Sequence, residues 1–456
     1  MTAKKIFKKT LYYTIATIII VALSVFCLYL ALYAAGYRVN THTWKVQKTG
    51  LLVFKSPDGG ANIFINGQPA PFKESLLPSI WHNSKSISLF PGEYDLEIKK
   101  ESYLPYREHI IIVPELITEI EKIIFVPENI QKTSLLEKNI QDFSFAPNSR
   151  KMIYTVDRSV NIYDLSKKTD YDLGIKIPDQ TKNIRFFWSS DSKRSTVIFI
   201  RDIGNIIYWL DTDTREGFYF HQAFSFSPFF EEIFFLDKNN NELFGTNGRD
   251  LYQINIAQKN INIAVKNVSS VSGDNQYLYF VQNAEKKLAR YDTSIEQIDF
   301  VLDDFTPSDD FTILPGANGR QFYILNNGQL GVFSSGEPTI SLNDQVTRLL
   351  YGDKGYDIYY TRNYEIWRFD PNEIKKEKQN KLITRISQPL SDLREFANNY
   401  YLFYTADNRL NLIRLDGSNN TLITDSAVYD FRVVGSSAIL VVEQKDSGKS
   451  LALISF

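Results

Sequence analysis

The chain has little sulfur and little histidine: one Cys, two Met and four His among 456 residues. With Cys27 alone, no disulfide can form within the chain, so packing must hold the fold. His42, His82, His109 and His221 are scattered, without His-x-x-x-His spacing or a Cys partner, which argues against a zinc site. Charge of one sign is also missing. Basic residues number 51 and acidic residues 53, so there is no basic field for a phosphodiester backbone and no nucleic-acid partner is expected. No Gly-x-Ser-x-Gly elbow occurs, and Gly331-Val332-Phe333-Ser334-Ser335-Gly336 misses its spacing. The runs at 211–214, 237–241 and 341–345 lack the spacing of an EF-hand loop and read as Asx turns. The neighbours Asp303-Asp304 and Asp309-Asp310 would point apart on a strand. These absences set the expectation of no catalytic residue, no metal, no cofactor and no enzyme; a site assembled from separate segments would leave no such trace.

What the chain does have is aromatic side chains, 32 Phe and 27 Tyr, arranged in a repeat. From Gln141 to Phe456 one phrase returns every 40 residues or so: apolar strand, polar turn, strand, turn, aromatic-rich strand. The clearest copy is 140–165; others begin near 184, 224 and 268, and four more fill the C-terminal half. Runs such as Ile153-Tyr154-Thr155-Val156 and Tyr401-Leu402-Phe403-Tyr404 have the composition of pleated sheet. Asn148-Ser149, Asp191-Ser192 and Asp407-Asn408 supply the turns, and 167–177 supplies a polar fourth strand. Four-stranded antiparallel units of this length suit propeller blades. The last copy ends after three strands, whereas 129–139 has strand character just ahead of the first copy. Used as the outer strand of the last blade, that piece predicts a closed ring of eight blades, with seven as the alternative.

Phe145, Pro147, Asn148, Ser149 and Lys151 in the first copy, and Trp188, Ser189, Asp191, Ser192 and Lys193 in the second, resemble the blade repeats of TolB-type propellers, with Asn-Ser and Asp-Ser in place of Asp-Gly.

Residues 11–36 carry no charge, long enough as a helix to span a bilayer. Leu11, Ile18, Ile19, Ile20, Phe26 and Leu30 are the expected lipid-facing anchor. Lys4, Lys5, Lys8 and Lys9 precede the span and outnumber the basic residues just after it, which puts 1–10 in the cytoplasm and the rest outside. A cleaved signal peptide is the competing reading, but its apolar core runs only about 7–15 residues. Export without disulfides fits a bacterial or archaeal membrane.

After a linker at 37–49, residues 50–127 form a second unit. Asn66-Gly67 is a two-residue hairpin turn, Pro91-Gly92 is a turn between two strands, and Tyr94, Leu96 and Ile98 share a strand face, which predicts a small β-sandwich. Ser56-Pro57-Asp58-Gly59-Gly60-Ala61, Ile65-Asn66-Gly67 and Leu89-Phe90-Pro91-Gly92-Glu93-Tyr94, followed by Lys99 and Tyr103, resemble a PEGA domain. The chain departs from that family by one extra Gly in the first turn and by Ser102 where a Gly usually precedes the Tyr. The resemblance implies a structural or adhesive role near the envelope, with no catalytic residues.

The fold class expected is therefore all-β: a transmembrane helix, a PEGA-like sandwich, and a propeller over 128–456. Trp188, Trp209 and Trp367 are assigned to the packing between blades, Trp44 to the headgroup level, and Trp81 to an exposed contact anchor. The function that follows is a membrane-held propeller that binds a protein, surface-layer or cell-wall glycan partner. A lyase or glycosidase working in the funnel, and a purely structural spacer, are the alternatives.

Overall fold

The computed structural model describes residues 2–40, 44–55, 60–70, 73–74, 84–235, 242–273, 277–293, 295–303, 312–315, 321–334, 340–351, 357–396, 400–435, 437–445 and 448–456. They form two compact units, Met1–Asn129 and Ile130–Phe456.

The first unit opens with a helix, α1 (Thr2–Ala34). No Gly or Pro interrupts this stretch, so the helix begins within the lysine-rich head rather than at Leu11. It stops at Gly36, whose φ of +84° is a left-handed position that glycine adopts at least cost. Arg38 closes the end: its guanidinium lies 3.4 Å over the Tyr33 ring and donates to the Tyr33 carbonyl at 2.7 Å. Tyr12–Ala34 is long and apolar enough to cross a membrane, a property that a single-pass anchor and a signal sequence share.

The expected linker is instead a hairpin, Tyr37–Asn40 paired with Lys45–Lys48. Its sequence has no Asn-Gly or Pro-Gly signal; Trp44 takes the left-handed turn position at φ +53°. Two four-stranded sheets follow. In one, Ile117–Ile120 lies parallel to Gly50–Lys55, which pairs with Ser84–Leu89 and through it with Lys73–Glu74. In the other the order is Gln68–Pro69, Asn62–Ile65, Gly92–Lys99, Tyr106–Ile112. Leu52, Phe54 and Ile120 of the first sheet share a buried core with Ile63, Ile65, Leu96, Ile98, Tyr106 and Ile110 of the second, so the unit is a sandwich. Asn66 and Gly67 both have positive φ, as a type I′ hairpin turn requires.

The second unit is a β-propeller of eight four-stranded antiparallel sheets. In blades 1 to 7 the strands follow chain order, from a first strand such as Phe143–Phe145 to a fourth such as Thr169–Lys176. First strands of blades 1 and 2, 2 and 3, 4 and 5, 6 and 7, and 7 and 8 pack against each other, which sets them around the axis. Blade 8 contains Val428–Val434, Ala438–Lys445 and Gly448–Ser455, and its fourth, outer strand is Gln131–Ile140. Gln131 faces Ser455 and Leu136 faces Leu451, so the start of the unit is hydrogen-bonded to its end. Lys132 of the closing strand forms an ion pair with Glu443, which is only 2% exposed.

Apolar side chains fill the space between blades because each sheet has two faces to cover. Ile153 and Ile162 of blade 1 meet Val197 and Phe199 of blade 2, and Tyr323 and Val332 of blade 5 meet Ile358 and Tyr360 of blade 6. At the seam Tyr154 and Met152 of blade 1 pack with Leu440, Val442 and Leu451 of blade 8. Phe403 of blade 7 stacks with Phe456 of blade 8, and Phe396 packs tilted against the same ring. Trp188, Trp209 and Trp367 pack against three of these cores, as the sequence suggested.

One expected strand differs. Phe224–Phe230 opens the third copy in the sequence reading, yet this blade begins at Glu232. Pro228 has no N–H for a ladder, and Phe220–Ala223 forms a single helical turn from which Phe220 and Phe224 drop, with Phe230, into the core shared with blade 2.

Candidate functional site

The motif that resembles TolB-type repeats is turn chemistry. In blade 2 the Ser189 hydroxyl donates to Asp191 at 2.6 Å, and the Lys193 N–H donates to the same carboxylate at 3.0 Å. Burial pushes the Asp191 carboxyl up, but these donors and the adjacent Arg194 and Lys193 outweigh it and hold it below its ordinary value. The 211–214 run is likewise an Asx turn, with the Asp213 and Thr214 N–H groups on the Asp211 carboxylate. The 237–241 run lies outside the described residues.

The charged groups that converge are elsewhere, on the first strands of blades 6, 7 and 8: Val346–Tyr351, Leu390–Phe396 and Val428–Val434. Each carries a β-bulge at the same place, between Val346 and Arg348, Leu390 and Asp392, Val428 and Asp430. In blades 6 and 7 a buried threonine of the second strand pins it: Thr347 bonds Thr361 at 2.9 Å, and Ser391 bonds Thr405 at 2.7 Å. The bulges bring Arg348, Asp392 and Asp430 to equivalent register; Arg394 and Arg432 follow two residues further along their strands.

Three arginines and two aspartates thus gather beside the axis. Arg394 pairs with Asp392 at 3.1 Å, Arg432 with Asp430 at 3.0 Å, and the Arg348 Nε donates to the Ser391 carbonyl at 3.1 Å. The Nε of Arg394 is enclosed and has no hydrogen-bond partner among the described residues. Burial, then the nearby Arg432 and Arg348 charges, pull the Arg394 pKa below its ordinary value despite Asp392 and Asp430. Burial, and secondarily Asp392, pushes the Asp430 carboxyl up against the pull of Arg432 and Arg394. Across the ring, Arg185 of blade 2 lies 3.5 Å from Glu232 of blade 3, whose carboxyl burial also raises.

Motif searching missed this cluster, since it looks for histidine, metal spacing or adjacent carboxylates. The available signal was Asp392-Leu393-Arg394 and Asp430-Phe431-Arg432, the same polar-apolar-polar triplet one repeat apart. Among the described residues no group of three or more His, Cys, Asp or Glu could hold a metal ion.

The other named residues stay apart. Ile18, Ile19, Ile20, Phe26 and Leu30 are exposed along α1, which also contains Leu11. Cys27 is exposed on the same helix. Trp81, His42 and His82 lie outside the described residues. His109 bonds Asp95 at 2.9 Å with Glu93 at 3.5 Å, which raises its pKa, and His221 is exposed and rests by Tyr219.

No family model matches the chain, and no curated protein matches its sequence. Solved structures do match. An oligogalacturonate lyase in complex with manganese has a TM-score of 0.44 at 12% identity, over 72% of this chain and 98% of that one. The Dos1 propeller has a TM-score of 0.49 at 12% identity, over 71% and 94%. Dipeptidyl peptidase 4 of Porphyromonas gingivalis has a TM-score of 0.46 at 12% identity, over 70% of this chain and 59% of that one. Likeness at this level assigns no activity. It does correct the expectation that the chain is not an enzyme: two of these three similar structures are enzymes by name, and a site built from separate blades leaves no contiguous motif to find.

Proposed function

We propose that the chain is a single-pass cell-envelope protein whose extracytoplasmic propeller binds a protein, surface-layer or cell-wall partner at the axial end of blades 6 to 8. The observation that carries this reading is the Arg/Asp cluster, held on bulged first strands of a closed, well-packed ring. Anchoring is supported by the uncharged 11–36 segment and by the excess of lysine before it. At the hairpin tip Trp44 is 83% exposed, and Val39 and Val46, directly opposite each other, are exposed as well. That is the chemistry of a headgroup interface. The PEGA-like segments support a structural role for the sandwich.

A second reading, an envelope enzyme of lyase or glycosidase type, is favoured by one feature of the same cluster. Asp430 has a raised pKa beside two arginines, the setting of a proton-transferring carboxyl. Topology is tested with Cys27→Ser as background and a single cysteine at Asp202, 74% exposed, or at Thr2. A membrane-impermeant maleimide should label Asp202→Cys in intact cells and Thr2→Cys only after permeabilisation; the reverse pattern would refute the orientation.

A further inference from the structure

We infer that Arg348, Arg394 and Arg432 form an oxyanion-binding site, for the carboxylate or phosphate group of a ligand that enters the axis of the propeller. This deepens the binding reading above and rests on it. The three guanidinium groups come from successive blades, brought to neighbouring levels by bulges in the same register. Like charges are not placed together at no cost: each pair of cations raises the energy of the empty site. Asp392 and Asp430 offset two of the three charges and leave cations in excess among these five groups.

The donors left over are suited to an oxyanion. Each guanidinium has five N–H donors, and a single ion pair satisfies only part of that set. Arg394 has an enclosed Nε with no partner among the described residues, and Arg348 is exposed with its Nε on a backbone carbonyl. A planar carboxylate or a phosphate takes two parallel N–H donors from one arginine, and a partly dry, partly enclosed site strengthens that contact. A neutral hydroxyl ligand would leave the excess charge unmet. A cation would face three arginines.

The blade 2 and 3 side of the ring differs, because Arg185 has Glu232 and the Glu231 carbonyl as partners. The inference is therefore confined to blades 6 to 8.

The test uses the full chain in detergent micelles, titrated by calorimetry with inorganic phosphate and, separately, with succinate, at constant ionic strength. Binding of either is expected, weakened roughly ten-fold or more in Arg394→Gln and in Arg348→Gln. Arg348 is exposed, so its variant should fold even if Arg394→Gln does not. Phosphate alone or succinate alone would identify the source of the oxyanion. No binding of either, or equal affinity in the folded Arg348→Gln protein, would overturn the site. If a partner captured in cells still depends on these arginines while neither anion binds, the ligand class fails and the axial binding reading survives. If capture ignores them, that reading fails too.

Discussion

Ser102 shows how a single residue can hold a left-handed backbone position. Its φ of +66° is the left-handed conformation that glycine adopts at least cost. Its carbonyl accepts from the Glu128 N–H at 3.0 Å, so the position is fixed by the fold around it. Ser102→Gly should remove about 1 kcal/mol of backbone strain, partly offset by the greater freedom of the unfolded chain. A net gain of up to ~1 kcal/mol in urea unfolding is the expected result; a loss would show that the serine side chain contributes more than its backbone costs. The turn residues of the repeats were legible for the same reason. Ser149, Ser192, Asp407 and Asn408 all have positive φ, as residues of tight turns between strands would. The axial charges were not legible. Asp392 and Arg394 are ordinary polar residues of a strand in the sequence, and only the bulge and the neighbouring blades turn them into a cluster.

At the scale of elements, the closing strand is the piece on which the ring depends. Gln131–Ile140 could be read ahead of the structure because the last repeat lacked a fourth strand and the chain held one spare. Its energetic centre is less obvious: Lys132 neutralises Glu443, which is otherwise a buried carboxylate, and also donates to Ser426 at 3.3 Å. Removing one member of a buried pair costs roughly 3–5 kcal/mol, because the other charge stays in place without a partner. Lys132 is itself about a third exposed, so water will recover part of that and ~1–3 kcal/mol is the better expectation. Lys132→Ala should therefore lower the denaturation midpoint of the propeller, and Lys132→Ala with Glu443→Gln should recover most of the loss. If the single variant melts unchanged, the strand does not hold the ring. The hairpin at 37–48 was missed because its strands are four residues each and no glycine lies between them; Trp44 is the residue there with positive φ.

At the scale of the whole molecule, the repeat explains both the stability and the absence of a motif. Eight blades share their cores with their neighbours, so no single blade has to fold alone, and the charged cluster of blades 6 to 8 is drawn from different copies of the repeat. A sequence read copy by copy shows strands and turns; it does not show which polar residues of separate copies meet. The most direct measurement is photo-crosslinking in intact cells from a benzophenone side chain in place of Tyr429. That residue lies on the first strand of blade 8, 62% exposed, in contact with Phe143 and Lys449. An axial binding propeller predicts one discrete captured species, lost when Arg348 and Arg394 are both changed to Gln. Capture of lipid alone, or of the same species at the same yield in the double variant, would contradict it.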